Sequence, residues 1–540
     1  MTGIGASLLA ATVAVPVAFF VACFFPRLRD AALAWQWLAP LPALLAAPAA
    51  LAGGPFDLEA PALKLSLRLD LPAALLLAVS ALLWIAVGAG AFLKPSDRPE
   101  PPVAISWLLT MIGSLGVFVA DDLLSFYFFY ALASVPAWGM FAFDPSPETA
   151  RAGRLYMAFV ILGEAFLLLA FAMLAAGEPH GGLRIPDVVA ALPGSPSRDA
   201  ALALLVAGFG AKMGLVPMNG WMPLSYAATP IPAAAVLGGA GVKAGVIGLI
   251  RFLPLGTPLV GWGGALAVIG FATAFFGVLV GVTQENPKAV LAYSSVSQMG
   301  VIAAALGMAL AMGDATAPAQ VGFYAANHVL VKGALFLAVG AFAASGVRAT
   351  LWKLIALALG LSLAGLPFTG GALAKAATKP LFGGGFAAGL AAASSAASAL
   401  LMLHFVSRLP DSSRFAATAS PARLVHFWPA AALAALFLPY LLFPFVGDVG
   451  GALSLSKLWA GLWPIVAGSL LALWLRRAAD RLPRIPIGDA IVLGEAAFRQ
   501  TSAIGALFDW FDAAFRRWSA AGLGLLVIAL ALAYVNAYVG

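Results

Sequence analysis

Residues 212–251 read KMGLVPMNGWMPLSYAATPIPAAAVLGGAGVKAGVIGLIR. Lys212 opens this stretch and Lys243 stands near its end, with Pro217, Pro223, Pro230 and Pro232 between them among mostly apolar residues. Proline removes a backbone donor and clashes with the preceding turn, so the run through Pro217 and Trp221-Met222-Pro223 predicts a broken helix. The apolar setting is that of a membrane span. An ammonium at mid-bilayer costs roughly 2.5–3.5 kcal/mol, which makes each buried lysine a functional hypothesis by default.

Working outward, Lys332 and Lys375 sit in equally apolar stretches. A second break is predicted at Gly365-Leu366-Pro367, followed by Gly370-Gly371. Lys212 lies five residues before Pro217 and Lys375 eight after Pro367. Paired broken helices in two halves of a chain point to inverted repeats with an ion site between them, because an unwound turn frees carbonyls and admits water.

The whole chain fits this setting, with 540 residues that are 62% hydrophobic and 10% charged. A helix needs about 20 apolar residues to cross ~30 Å of hydrocarbon, and such runs recur from end to end. Short alternating segments of the barrel type are read as absent. The fold class is therefore all-α and polytopic, with about sixteen spans near 3–25, 32–53, 71–93, 103–120, 123–143, 155–176, 200–218, 232–253, 259–281, 289–312, 319–345, 351–379, 382–406, 424–446, 457–475 and 518–539. The run 3–25 is read as the first span, since it lacks the basic start of a signal peptide.

Lys and Arg fall unevenly between alternate loops. Sixteen, from Arg27 and Arg29 through Lys288 to Arg481 and Arg484, lie on one side, against Lys64, Arg68, Arg184, Arg198, Arg251 and Lys457 on the other. Positively charged loops stay in the cytoplasm, so both termini are expected outside, in a cell inner membrane. This distribution accounts for the net charge of +7 without nucleic acid as a partner. Segment 488–517 differs in kind: Leu493, Phe508, Phe511 and Phe515 oppose Glu495, Arg499, Asp509 and Arg516, the pattern of an amphipathic helix on a membrane surface or along neighbouring spans.

Cys23 is the only cysteine, which excludes an internal disulfide and a cysteine-ligated cluster. No Walker loop or metal-ligand histidine spacing is present, so no cofactor and no metal are expected. Redox chemistry, where there is any, belongs to a partner.

The opening stretch resembles the seventh and eighth helices of the proton-conducting, antiporter-like subunits shared by respiratory complex I, membrane-bound hydrogenases and Mrp-type Na⁺/H⁺ antiporters. QENPKAVLAYSSVSQMG from Gln284, NHVLVKGALFLAVG from Asn327 and GLPFTGGALAK ending at Lys375 agree in order and spacing. The resemblance implies a fourteen-helix core with two inverted five-helix repeats. It divides the chain into helices one to three (1–102), a first repeat (103–254), a second repeat (255–407), helices fourteen and fifteen (408–487), a lateral amphipathic helix (488–517) and a final span (518–540). It also implies a midplane proton relay through Lys212, Lys243, His328, Lys332 and Lys375. Burial disfavours the charged amine and a nearby carboxylate favours it, so moving an ion pair would load or unload each lysine. Lys379 is a candidate exit toward the outer side.

The departures are specific. Aligning on Phe128-Phe129-Tyr130 and Ser134-Val135-Pro136 puts Ala131 where the family carries the glutamate that pairs with the seventh-helix lysine. Glu164, in VILGEAFLLL, is read as the only similarly buried acid and is the proposed replacement. Asn219 and Gln298 stand where histidine is frequent, and Leu224 where aspartate is, leaving Asn219 and Gln298 as supporting polar positions.

Two classes of function follow from the resemblance. The first is an ion-translocating subunit conducting H⁺, with Na⁺ as a candidate coupled ion, in a multisubunit complex with other membrane subunits. It would be the translocase part of a hydrogenase or NADH-quinone oxidoreductase type of enzyme, or an antiporter subunit without chemistry of its own. The second is a non-conducting subunit that anchors partners, or the membrane part of an inorganic-carbon uptake system. An independent solute carrier has no pocket-forming polar cluster to support it.

Overall fold

A computed structural model describes residues 2–60, 65–92, 101–143, 146–345, 350–411, 424–477, 485–488 and 491–492. Helices α1 (Thr2–Ala22), α2 (Pro26–Trp35) and α3 (Leu41–Gly53) lead into strands β1 (Phe56–Ala60) and β2 (Leu65–Leu69). Next come α4 (Leu71–Phe92), α5 (Pro101–Val119), α6 (Leu123–Ser134), α7 (Pro147–Gly177), the short α8 (Ile185–Ala191) and α9 (Arg198–Met213). The second part runs through α10 (Trp221–Ala228), α11 (Ile231–Val236), α12 (Lys243–Phe252), α13 (Val260–Gly281), α14 (Pro287–Met312), α15 (Ala317–Ser345), α16 (Thr350–Ala364), α17 (Gly370–Thr378) and α18 (Phe386–Arg408). Helices Leu424–Leu442 and Leu455–Arg477 follow.

Thirteen helices among the described residues are long and apolar enough to cross a membrane, and each matches an expected span. Two further expected spans are the broken ones. The seventh divides into α9 and α10 around residues 214–220, where Gly214 closes α9 in the left-handed conformation at φ 71°. The twelfth divides into α16 and α17 around residues 365–369. The final span and, apart from residues 488, 491 and 492, the amphipathic segment lie outside the described residues.

One expectation needs correction. A short alternating segment does occur: Phe56–Ala60 and Leu65–Leu69 pair antiparallel, with Asp57 opposite Arg68 and their side chains 3.2 Å apart. Apolar and polar residues alternate in both strands, the period of a half-buried sheet, although five residues each give only a brief signal. Leu67 bridges to Ala120, so the hairpin is fastened to the entrance of α6.

Burial decides what lies at the centre. The apolar windows of Ile231–Phe252 and Ala317–Ala344 are fully buried, whereas most of α7 and much of α13 face outward. Helix α15 packs on α4, α11, α14, α17 and Leu424–Leu442. A helix apolar all round belongs in such a position, and α15 carries two of the candidate basic residues.

Helices α13 and α14 make the most extensive helix–helix contact among the described residues, with glycines seven residues apart along the seam. A Cβ on Gly263 would stand 2.4 Å from the Ala311 nitrogen, and one on Gly270 2.3 Å from the Ala304 nitrogen. From the other side, a Cβ on Gly300 would meet the Gly270 carbonyl at 2.5 Å. In lipid, helix association rests on van der Waals contact, so small residues at the seam supply the attraction by letting backbones touch.

Candidate functional site

The first cluster is built by a glycine contact. A Cβ on Gly208 would lie 2.6 Å from Leu167 Cγ and 3.1 Å from the Gly163 carbonyl, so α7 and α9 meet closely there. Glu164 follows Gly163, and Lys212 lies one turn beyond Gly208. Both are buried and line one cavity with Tyr130, Ser134, Tyr156 and Trp221. Its volume, traced by the centre of a water-sized sphere, is ≈ 10 Å³, close to the room one water needs. Lys212 Nζ donates to Ser134 Oγ at 2.8 Å and stands 5.8 Å from the centre of the Tyr130 ring. Both Glu164 carboxylate oxygens are buried without a hydrogen bond of normal geometry, with the Ser134 and Tyr127 hydroxyls nearby.

The second cluster surrounds a widened helical turn. Leu237–Gly241 forms a π-helical turn between α11 and α12, a geometry frequent at functional sites. Lys243 Nζ donates to the Gly239 carbonyl of that turn at 3.0 Å and lies 2.9 Å from His328 Nδ1. Lys332, one turn beyond His328 on α15, is within electrostatic reach of both and donates to the Leu291 carbonyl at 2.7 Å. Lys243, His328 and Lys332 are all 0% exposed, and His328 Nε2 has no partner among the described residues. The three groups therefore form one contiguous basic cluster.

Lys375 stands apart from both on α17, six residues after the second break, and donates to Ser395 Oγ on α18. Gln298 is buried in α14. Its Nε2 donates to Ser398 Oγ at 3.0 Å and its Oε1 accepts from Tyr324 at 2.7 Å. Asn219 is buried inside the first break. Lys379 is exposed, at the start of a single 3₁₀ turn after α17.

Three residue groups escaped the sequence reading. Ser134 and Ser395 hold the amines of Lys212 and Lys375, yet a serine in an apolar helix carries no signal that distinguishes such a role. Lys288, read as a loop cation, is 1% exposed and donates to the Thr229 carbonyl at 2.9 Å, closing the end of α10. Glu164 is not the only buried acid either. Asp121 and Asp122 are each 4% exposed at the entrance to α6. Asp122 caps that helix through Ser125 N, and Asp121 pairs with Arg184 Nη2 at 2.8 Å. Arg251 reaches the same end, donating to the Phe118 carbonyl at 2.6 Å and the Arg68 carbonyl at 3.4 Å. Arg68, Arg184 and Arg251 thus share one end of the bundle, as the loop charges predict.

The family described as NADH:quinone oxidoreductase/Mrp antiporter, TM, matches residues 120–403. Residues of this chain are 32% identical over 312 positions to NADH-quinone oxidoreductase subunit N of Desulforudis audaxviator, covering 54% of the chain and 60% of that protein. They are 30% identical over 282 positions to hydrogenase-4 component B of Escherichia coli, covering 50% of the chain and 41% of that protein. The chain therefore spans about half the length of these relatives. Among solved structures, the Mrp complex of a Dietzia species aligns with a TM-score of 0.71 at 21% identity, over 99% of this chain and 63% of that one. Respiratory complex I of Thermus thermophilus aligns with a TM-score of 0.63 at 23% identity, over 82% of this chain and 100% of that one. At these identities the likeness is one of fold.

Proposed function

The chain belongs to the NADH:quinone oxidoreductase/Mrp antiporter transmembrane family, and we propose that it is a proton-translocating membrane subunit of a multisubunit complex. Protons move along Glu164, Lys212, Lys243, His328, Lys332 and Lys375. The observation that carries this reading is the shared cavity of Glu164 and Lys212. A carboxylate without a normal hydrogen bond and an ammonium held by a single serine face space for about one water, deep within spans. Ionisable groups at that depth are costly and mark ion pathways.

In this reading Glu164 does for Lys212 what the family glutamate would do from position 131. Its charge favours the ammonium. When the carboxylate is protonated or moves, burial favours the neutral amine and the proton passes on. The basic cluster of Lys243, His328 and Lys332 receives it, since a charge on one amine there disfavours a second. Lys375 passes it toward the Lys379 end. The two repeats are the units 103–254 and 255–407, and the membrane is the cell inner membrane with both chain ends outside.

The deciding experiment measures driven proton movement in vesicles holding the assembled complex, using a pH-sensitive dye. Lys212→Ala or Lys332→Ala is expected to lower the rate at least tenfold with assembly unchanged. Unaltered rates in both variants would leave the non-conducting, anchoring role.

A further inference from the structure

Polar side chains line the way from Lys332 to Lys375 at one-turn spacings along α14 and α18, with a non-ionisable group at their centre. Lys332 donates to the Leu291 carbonyl, which also accepts from Ser295 Oγ at 3.2 Å on the next turn of α14. Gln298 follows three residues later on the same helix. Its amide nitrogen reaches Ser398, and Ser398 lies one turn along α18 from Ser395, the partner of Lys375. The Gln298 carbonyl oxygen takes the Tyr324 hydroxyl from α15. Gln298, Ser398 and Tyr324 are 1%, 3% and 4% exposed.

We propose that Gln298 is the gate of the second half of the relay: its amide, pinned by Ser398 and Tyr324, blocks proton passage between Lys332 and Lys375 until it is released. This rests on the relay reading above. The chemistry is direct. A primary amide is neither acid nor base near neutrality, so it cannot take a proton from one side and return it to the other. Both of its ends are committed, Nε2 as donor and Oε1 as acceptor, which fixes its orientation. The hydroxyls it holds are thereby kept on opposite ends of the amide. The void that Tyr324 shares with Val301, Val321 and Thr378 has ≈ 0 Å³ for a water-sized sphere, so no water fits in it. Buried networks with all members satisfied are rigid, and removing one member releases the rest.

A closed gate makes the resting protein proof against leak, and this is what the test reads. Vesicles holding the assembled complex are given an imposed pH gradient, with potassium and valinomycin clamping the potential, no driving reaction and a pH-sensitive dye inside. Gln298→Ala is expected to raise passive proton leak at least fivefold, and Gln298→Ala with Lys375→Met to return it to the wild-type level. Tyr324→Phe removes one pin without opening a cavity, is expected to raise leak about twofold, and decides the matter if the alanine variant fails to assemble. Vesicles as tight as wild type with Gln298→Ala and Tyr324→Phe, or a leak that survives Lys375→Met, would overturn the gate. The relay reading is judged separately, by whether Lys375→Met alone stops driven transport.

Discussion

Glu164 and Lys212 face one water-sized cavity because the residues beside them, Gly163 and Gly208, let α7 and α9 touch. In the family pattern the partner carboxylate would come from α6, at the position of Ala131. Here α6 supplies Ser134 instead, one turn further on, and the acid comes from α7.

Relocating the charge should therefore be tolerated. Glu164→Gln is expected to lower driven proton movement at least tenfold, and Ala131→Glu added to it to recover a substantial part, because positions 131 and 134 share a helix face. Dye-monitored proton uptake by vesicles makes the comparison, with no recovery counting against the exchange of roles.

The α13–α14 seam predicts a sharp positional contrast. Gly270→Leu must force backbones apart and should destabilise the protein by about 1–3 kcal/mol. Gly264, whose Cβ would meet nothing within 4 Å, should accept leucine with little change. Thermal unfolding in detergent, followed by retention of the monodisperse peak, distinguishes the two.

Lys288 closes the end of α10, so Lys288→Met should leave the buried Thr229 carbonyl without a donor. The expected cost is about 1–3 kcal/mol. Its readout is a lower unfolding midpoint, and Lys288→Arg should restore part of it if the donor is what matters.

At the opposite end, the Asp121 hydrogen bond raises the Arg184 guanidinium above its ordinary value. A group raised on folding stabilises fully below its unfolded value and loses that contribution only as pH climbs through the folded one. The stability difference between wild type and Arg184→Gln should thus stay constant from about pH 7 to 10. Because Arg184 is 42% exposed at its side chain, the difference itself should be modest despite the buried Asp121. Unfolding midpoints measured across that range test it.

Much of this architecture is legible before any coordinates. Pro217 and Pro367 announce the two breaks because the loss of a backbone donor is local chemistry. The lysines announce themselves because charge in an apolar run is costly wherever the helix sits. Pairing is another matter. Nothing in the run around Ser134, Ser395 or Ser398 distinguishes a serine that holds an amine from one that bonds its own helix. Lys288 was obscured by the polar residues Gln284 to Asn286 before it, which read as loop, although the helix beginning at Pro287 carries it inward. The hairpin was too short for its alternation to stand out against the helical runs.

The turn at Leu237–Gly241 accommodates one residue more than an α-helical turn would. Each residue advances an α-helix by about 100°, so taking up a surplus residue in one wide turn bears on the heading of Lys243, the first residue of α12. A single-residue deletion within Leu237–Gly241 is therefore the change that asks whether the wide turn, and not α11 alone, brings the Lys243 amine to the His328 imidazole.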